Sequence, residues 1–180
     1  MSTPSEPSVM SWEEFKARVR DRVHHWRVFG LPGRWQVLQE LKELQRLQEA
    51  LGAETRPPLN RFPMIYLATL DDGWGHGLDV IDAAARAVGA PTVRLGLLCS
   101  TERIVDACRR NPPHVLGLTI LHADTESAVS AVVQGLPSGV TVVAGGPVFR
   151  WDPDFAQRTG LDAVIQDVGD FLQWISARLP

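Results

Sequence analysis

From position 64 onward, short apolar runs alternate with amphipathic ones, and this alternation constrains the fold more than any other feature of the chain. Strand-like runs rich in β-branched residues fall at 64–70, 92–97, 115–119, 140–144 and 163–165, each bounded by Gly, Pro or Asp. Helical patterns fill the gaps at 77–88, 100–110, 125–136, 153–158 and 168–179. Strands buried on both faces and separated by helices pair in parallel, with helices on both sides of the sheet. The expected fold is therefore α/β and flavodoxin-like (Rossmann-like): a five-stranded parallel sheet in the order 2-1-3-4-5. In that order the switch lies between the first and third strands, so ligands are expected at the loops after Leu70 and Thr119, beside the loop after Ala144.

The first of those loops is unusual in composition. Asp71-Asp72-Gly73-Trp74-Gly75-His76-Gly77 joins the first strand to the first helix of the alternating region. A glycine-rich loop at a helix N-terminus presents unpaired backbone N–H groups at the sheet edge. It does not make G-x-G-x-x-G, and no well-placed acidic residue follows the second strand, so dinucleotide binding is a poor fit. Asp71, Asp72, His76 and His122 are metal-ligand types, but nothing in their spacing is specific for a metal hydrolase. A phosphoreceiver needs an Asp ending the third strand and a Lys ending the fifth, where this chain has Thr119 and Gln166. That reading is rejected.

Ahead of the alternating region, Ser11 is a good N-cap followed by Glu13 and Glu14 in the first turn. Trp12, Phe15, Val19, Val23 and Trp26 recur at spacings of three and four, which makes one helical stripe. Gly30-Leu31-Pro32-Gly33 breaks it, and a second helix from Arg34 to Leu51 carries Leu38, Leu41, Leu44, Leu47 and Leu51. Residues 11–55 thus form a helical hairpin, 56–63 a Pro-rich linker, and 64–180 the main domain. The hairpin covers either the main domain or a second copy of itself. Self-association or a protein partner on the hairpin is the sharper of those expectations.

Residues 1–10 read as a disordered tail, Ser/Pro-rich and without the apolar segment of a signal peptide or anchor. No run approaches a membrane span, so a soluble, cytoplasmic protein is expected. A length of 180 residues with 44% hydrophobic composition allows one domain and an appendage. The net charge of -3 offers no basic field for a phosphate backbone, so nucleic acid is not expected as a direct partner. Cys99 and Cys108 are too few for a disulfide scaffold or a four-cysteine zinc site, and are expected as ordinary reduced thiols.

Aligned on Asp72 and Gly77, the loop resembles the D-x-H-x-x-G signature of the cobalamin (vitamin B12) binding domain family, with Trp74 where that family has histidine. Thr119-Ile120-Leu121 resembles the family's S-x-L element and Gly145-Gly146 its Gly-Gly element, in the right order. The resemblance implies a cobalamin held base-off, its nucleotide tail threaded between the sheet and the first helix of the domain. It assigns cofactor contacts to Asp72, Gly73, Trp74, Gly75, His76, Gly77, Thr119, Leu121, Gly145 and Gly146, with His122 at the periphery. Gly145 and Gly146 would let the backbone approach the tail closely, although a tight turn explains them equally.

The family's Asp orients its ligand histidine, and here that partner is missing. Indole nitrogen is a donor only, so Trp74 is expected as an apolar cover on the lower corrin face rather than as a ligand. His76 is the alternative metal ligand from the loop. His24 and His25, on the first helix, are candidates for the upper face, where relatives place a helical segment. For each of these histidines, exposed surface is the simpler reading. No catalytic residue is assigned, and the form of cobalamin (adenosyl, methyl or hydroxo) is left open. The expected function is a cobalamin sensor or carrier serving a partner protein. The alternatives are the corrinoid subunit of a methyltransferase system and a cofactor-free interaction module.

Overall fold

Ser11 caps the first helix as its position suggests: its hydroxyl accepts from the Glu14 N–H at 3.2 Å, while the Glu14 carboxylate accepts from the Ser11 N–H at 2.7 Å. In the computed structural model, which describes residues 10–180, this helix (α1, Trp12–Phe29) is followed by α2 (Arg34–Glu49) and then by the alternating region. That region runs β1 (Ile65–Thr69), α3 (His76–Ala87), β2 (Thr92–Gly96), α4 (Thr101–Arg110), β3 (Val115–Thr119) and α5 (Glu126–Gly135). It continues with β4 (Thr141–Gly145), α6 (Val148–Trp151), α7 (Phe155–Thr159), β5 (Ala163–Ile165) and α8 (Val168–Ser176). The tail expected over 1–10 lies outside the described residues except for Met10, which packs against the core.

All five strands are parallel and their order is β2-β1-β3-β4-β5. β1, β3 and β4 pair in simple register, with Leu67 beside Gly117 and Gly117 beside Val143. On edge strand β2 the register slips, since Leu67 pairs with Arg94 and Ala68 with Gly96. Leu95 is the extra residue of a bulge.

Each face of the sheet has its own apolar layer. Tyr66, Ala68, Leu116, Leu118, Val142 and Ala144 face the layer that includes Ile104, Cys108, Val129 and Phe155. Burial pushes the Cys108 thiol up to about 11 and also raises Cys99, whose shift is moderated by Arg103. Both cysteines are free and buried. The opposite face presents Leu67, Val143 and Ile165 to α3 and α8, and the hairpin packs over these two helices.

The hairpin therefore covers the main domain, with α1 on α8 and α2 on α3. Trp12, Phe15, Val19, Val23 and Trp26 are buried in that layer. On α2 the buried stripe is Val37, Leu41, Leu44 and Gln48 rather than the leucine series: Leu38 is only half-buried and Leu47 is 40% exposed. The helix is rotated so that Val37 and Gln48 face α3, and Gln48 sits against Gly89 at the end of that helix. Each large side chain buried here contributes roughly 1.5–3 kcal/mol. The hairpin and the main domain thus share one continuous apolar layer. The proline-rich segment after it contains a short 3-10 turn at Leu59–Arg61 and buries Phe62.

Candidate functional site

At the C-terminal edge of the sheet the three motif-bearing loops are laced together. Thr69, fully buried at the end of β1, accepts the Asp72 N–H on its hydroxyl at 2.9 Å. Asp72 Oδ1 in turn accepts the Trp74 N–H at 2.7 Å, an Asx turn that shapes the loop. Asp71 Oδ2 reaches across to the loop after β3 and accepts from the Leu121 and His122 N–H groups at 2.9 and 2.8 Å. Its Oδ1 is buried and has no partner among the described residues. The Ile120 N–H donates to the Gly145 carbonyl at 2.9 Å, which ties the β3 loop to the end of β4.

Three glycines allow these elements to meet. Gly77, in the first turn of α3, lies so close to β3 that a Cβ would stand 3.2 Å from Thr119 Cγ2. At Gly145 a Cβ would fall 2.7 Å from the Ile165 carbonyl oxygen. At Gly146, where φ is +136°, it would fall 2.0 Å from the Ile120 carbonyl oxygen. No side chain fits at Gly146 without moving backbone.

Below these loops a groove of about 620 Å³ opens between the sheet, α3 and α8. Leu67, Gly117, Val143 and Ile165 form its floor. Leu78 and Ile81 of α3 line one side, and Val168 and Phe171 of α8 line the other. Polar groups gather at the loop edge: Asp72, His76, Thr119, Gln166 and Asp167, with Arg34 and Arg150. Arg34 is paired at 2.8 Å with Asp79, which also holds Arg94 at 2.8 Å. The groove is open, predominantly apolar and of a size that suits a small organic ligand.

Among the residues singled out from sequence, Asp72, Trp74, His76, Gly77, Thr119, Leu121, Gly145 and Gly146 line this groove. Trp74 is 81% exposed at the mouth, its ring 6.1 Å from that of His76, which begins α3. Gly73 and Gly75 belong to the same loop but are not among the lining residues. Gly75, left-handed at φ +70°, caps α3 and packs against Leu97. His122 is exposed beside Asp71, its Nδ1 at 3.5 Å from the carboxylate, and stands outside the groove.

His24 and His25 also stand outside it. Both are exposed on α1, His24 next to a separate hollow against α8 and His25 with its ring 4.7 Å from that of Phe29, tilted by 40°. Among the described residues no group of three or more His, Cys, Asp or Glu side chains is placed to hold a metal ion. Asp71, Asp72, His76 and His122 therefore do not form the ligand set that a metal hydrolase would need.

Several lining residues were not signalled by the loop motifs. Leu31, Pro32 and Val37 come from the hairpin, Arg150 from α6, and Asp167 and Phe171 from the start of α8. Val37 and Phe171 are core residues whose side chains also border the groove, which only the packing reveals.

A family model described as the B12 binding domain matches residues 69–171, which contain all three loops. Among solved structures, the chain is similar to a cobalamin-binding protein from Desulfitobacterium hafniense. The TM-score is 0.75 at 20% identity, covering 93% of this chain and 82% of that one. Coverage this broad extends the likeness of fold to the hairpin. The monomethylamine corrinoid protein of Methanosarcina barkeri is similar with a TM-score of 0.56 at 16% identity, over 76% of this chain and 62% of that one. No curated protein sequence matches the chain. The strand order 2-1-3-4-5, the convergence of the three loops and the match over residues 69–171 agree: the chain belongs to the B12 binding domain family.

Proposed function

We propose that the chain binds a cobalamin base-off, with the nucleotide tail in the groove, and serves as a sensor or carrier of that cofactor for a partner protein. The observation that carries this reading is the groove itself, open and lined mainly by apolar side chains at the loop edge of the sheet. A wall of apolar side chains can bury an aromatic base.

Trp74 and His76 hold the position below the corrin in this reading. Trp74 supplies an apolar face that keeps water from the cobalt, and its indole N–H cannot ligate a metal. Asp72 does not orient an imidazole here but is engaged with the Trp74 backbone, which fits a loop that works without a histidine ligand. When bound, the corrinoid supplies cobalt chemistry: exchange of axial ligands, redox change or carriage of an alkyl group. The chain grips the tail, sets the lower face and excludes water.

The test is retention. Purified protein mixed with hydroxocobalamin and then desalted is expected to carry the cofactor's spectrum, whereas a colourless protein fraction refutes the reading and leaves a cofactor-free interaction module. If the bound spectrum is unchanged in His76→Ala, that residue is not a ligand. A change of oligomeric state on illumination with adenosylcobalamin would identify a sensor. Methyl transfer with a separate catalytic chain would identify a methyltransferase corrinoid subunit, the second reading, favoured by the fold shared with the Methanosarcina barkeri corrinoid protein. Among the described residues no helix is long and apolar enough to cross a membrane. Contact with a partner, or with a second copy, is proposed for the turn end of the hairpin, where Phe29 and Trp35 are exposed.

A further inference from the structure

The groove has a wall outside residues 69–171. Leu31 and Pro32, in the turn between α1 and α2, and Val37, in the first turn of α2, close it on the side away from the sheet. α3 and α8 both begin at the loop edge and run back over the sheet. Ile81, more than a turn into α3, and Phe171, at the end of the first turn of α8, therefore stand near the level of Leu67, Gly117 and Val143. The inner half of the groove is thus lined by Val37, Ile81, Phe171, Leu67, Gly117 and Val143. None of these side chains carries a hydrogen-bond donor or acceptor, and the strand backbones are paired with one another. The polar lining groups belong to the edge, where Asp79 holds Arg34 at the surface.

We infer that the hairpin is part of the binding machinery: Leu31, Pro32 and Val37 complete an apolar sleeve for the base at the end of the corrinoid tail. The sleeve selects bases of benzimidazole type over purines. This inference rests on the corrinoid reading above. A benzimidazole leaves little hydrogen-bonding capacity unmet in such a sleeve. A purine buries ring nitrogens and, in adenine, an amino group with no partner, and each buried polar group left unpaired weakens binding by roughly tenfold to a hundredfold.

The experiment compares three probes by equilibrium binding: cobalamin, a corrinoid identical except for an adenine lower base, and cobinamide, which has no nucleotide tail. Wild-type protein, Leu31→Ser and Val37→Thr are each titrated. Leu31 is 45% exposed, so its substitution leaves the fold intact, and Val37→Thr preserves the shape of a buried side chain. Cobalamin is expected to bind more tightly than the adenine-bearing corrinoid by the factor above. In both variants the ratio of cobalamin to cobinamide affinity is expected to fall severalfold. Equal affinity for the two tailed corrinoids overturns the inference, as does an equal loss of cobalamin and cobinamide binding in the variants. If no corrinoid binds the wild type, the function proposed above fails, and this inference fails with it.

Discussion

Replacing Gly146 by alanine separates two kinds of strain at the groove edge. The backbone there has φ +136°, a region that L-residues enter at about 1–3 kcal/mol each. The added methyl would also stand 2.0 Å from the Ile120 carbonyl oxygen, a backbone atom that cannot rotate away. Relieving that overlap pushes the β3 loop outward against the Ile120–Gly145 hydrogen bond and the contacts of Asp71 with Leu121 and His122. Overpacking of this kind costs about 1–3 kcal/mol, so Gly146→Ala is expected to lose about 2–6 kcal/mol in all. Gly139→Ala is the control, because Gly139 also has a positive φ (+91°) but nothing within 4 Å of its Cβ position. Urea unfolding of both variants should show Gly146→Ala less stable than Gly139→Ala by about 1–3 kcal/mol, a midpoint difference on the order of 1 M. Equal losses would refute the claim that close approach of the two loops makes glycine necessary at 146.

Three further outcomes are expected. In Gly117→Ala the new methyl crowds only the end of the Leu67 side chain, at 2.8 Å, and makes an ordinary contact with the Tyr66 carbonyl at 3.8 Å, so stability should change by about 1 kcal/mol or less while corrinoid retention after desalting falls as the groove floor rises. Asp71→Ala leaves the Leu121 and His122 N–H groups without their acceptor, which should destabilise the chain by about 1–3 kcal/mol and speed hydrogen exchange at Leu121. Asp71→Asn keeps an acceptor oxygen and should lose less. For Glu40, burial alone would raise the carboxyl, but hydrogen bonds from Arg22, Gln36 and Trp26 and the charge of Arg22 hold it below the usual carboxylate range. A depressed carboxylate stabilises the fold above its unfolded pKa, and that contribution is lost as pH falls through the folded value. Urea midpoints should therefore drop on acidification below the usual carboxylate range, and drop less steeply in Glu40→Gln.

The sheet was legible because its signal is local: β-branched runs of five or so residues, most of them introduced by Pro, Gly or Asp (Pro63, Pro91, Gly139, Asp162), define β1 to β5 almost to the residue. The end of β4 differs by one position, at Gly145 rather than Ala144, since the glycine still pairs with Thr119 and Ile165. Helix α6 was not foreseen. Four residues opened by Pro147 give no periodic pattern to read. The stripe on α2 was misjudged at Leu38 and Leu47 because leucine count is a poorer guide than the face that docking on α3 selects, which takes in Val37 and a buried glutamine. The loop motifs identified most of the groove edge. Its hairpin wall was illegible, because Leu31, Pro32 and Val37 reach the groove only through packing between residues far apart in the chain.

The bulge on β2 has a consequence for how the molecule meets others. Strand addition along an open sheet margin requires a straight row of free N–H and C=O groups. Here the extra residue Leu95 kinks that row and Arg103 engages the Leu95 carbonyl at 2.6 Å. At the opposite margin β5 spans only Ala163–Ile165, too short a template for a neighbouring strand. Both margins are thus guarded against fibrous assembly. Recognition falls to surfaces where side chains rather than backbone ladders decide affinity.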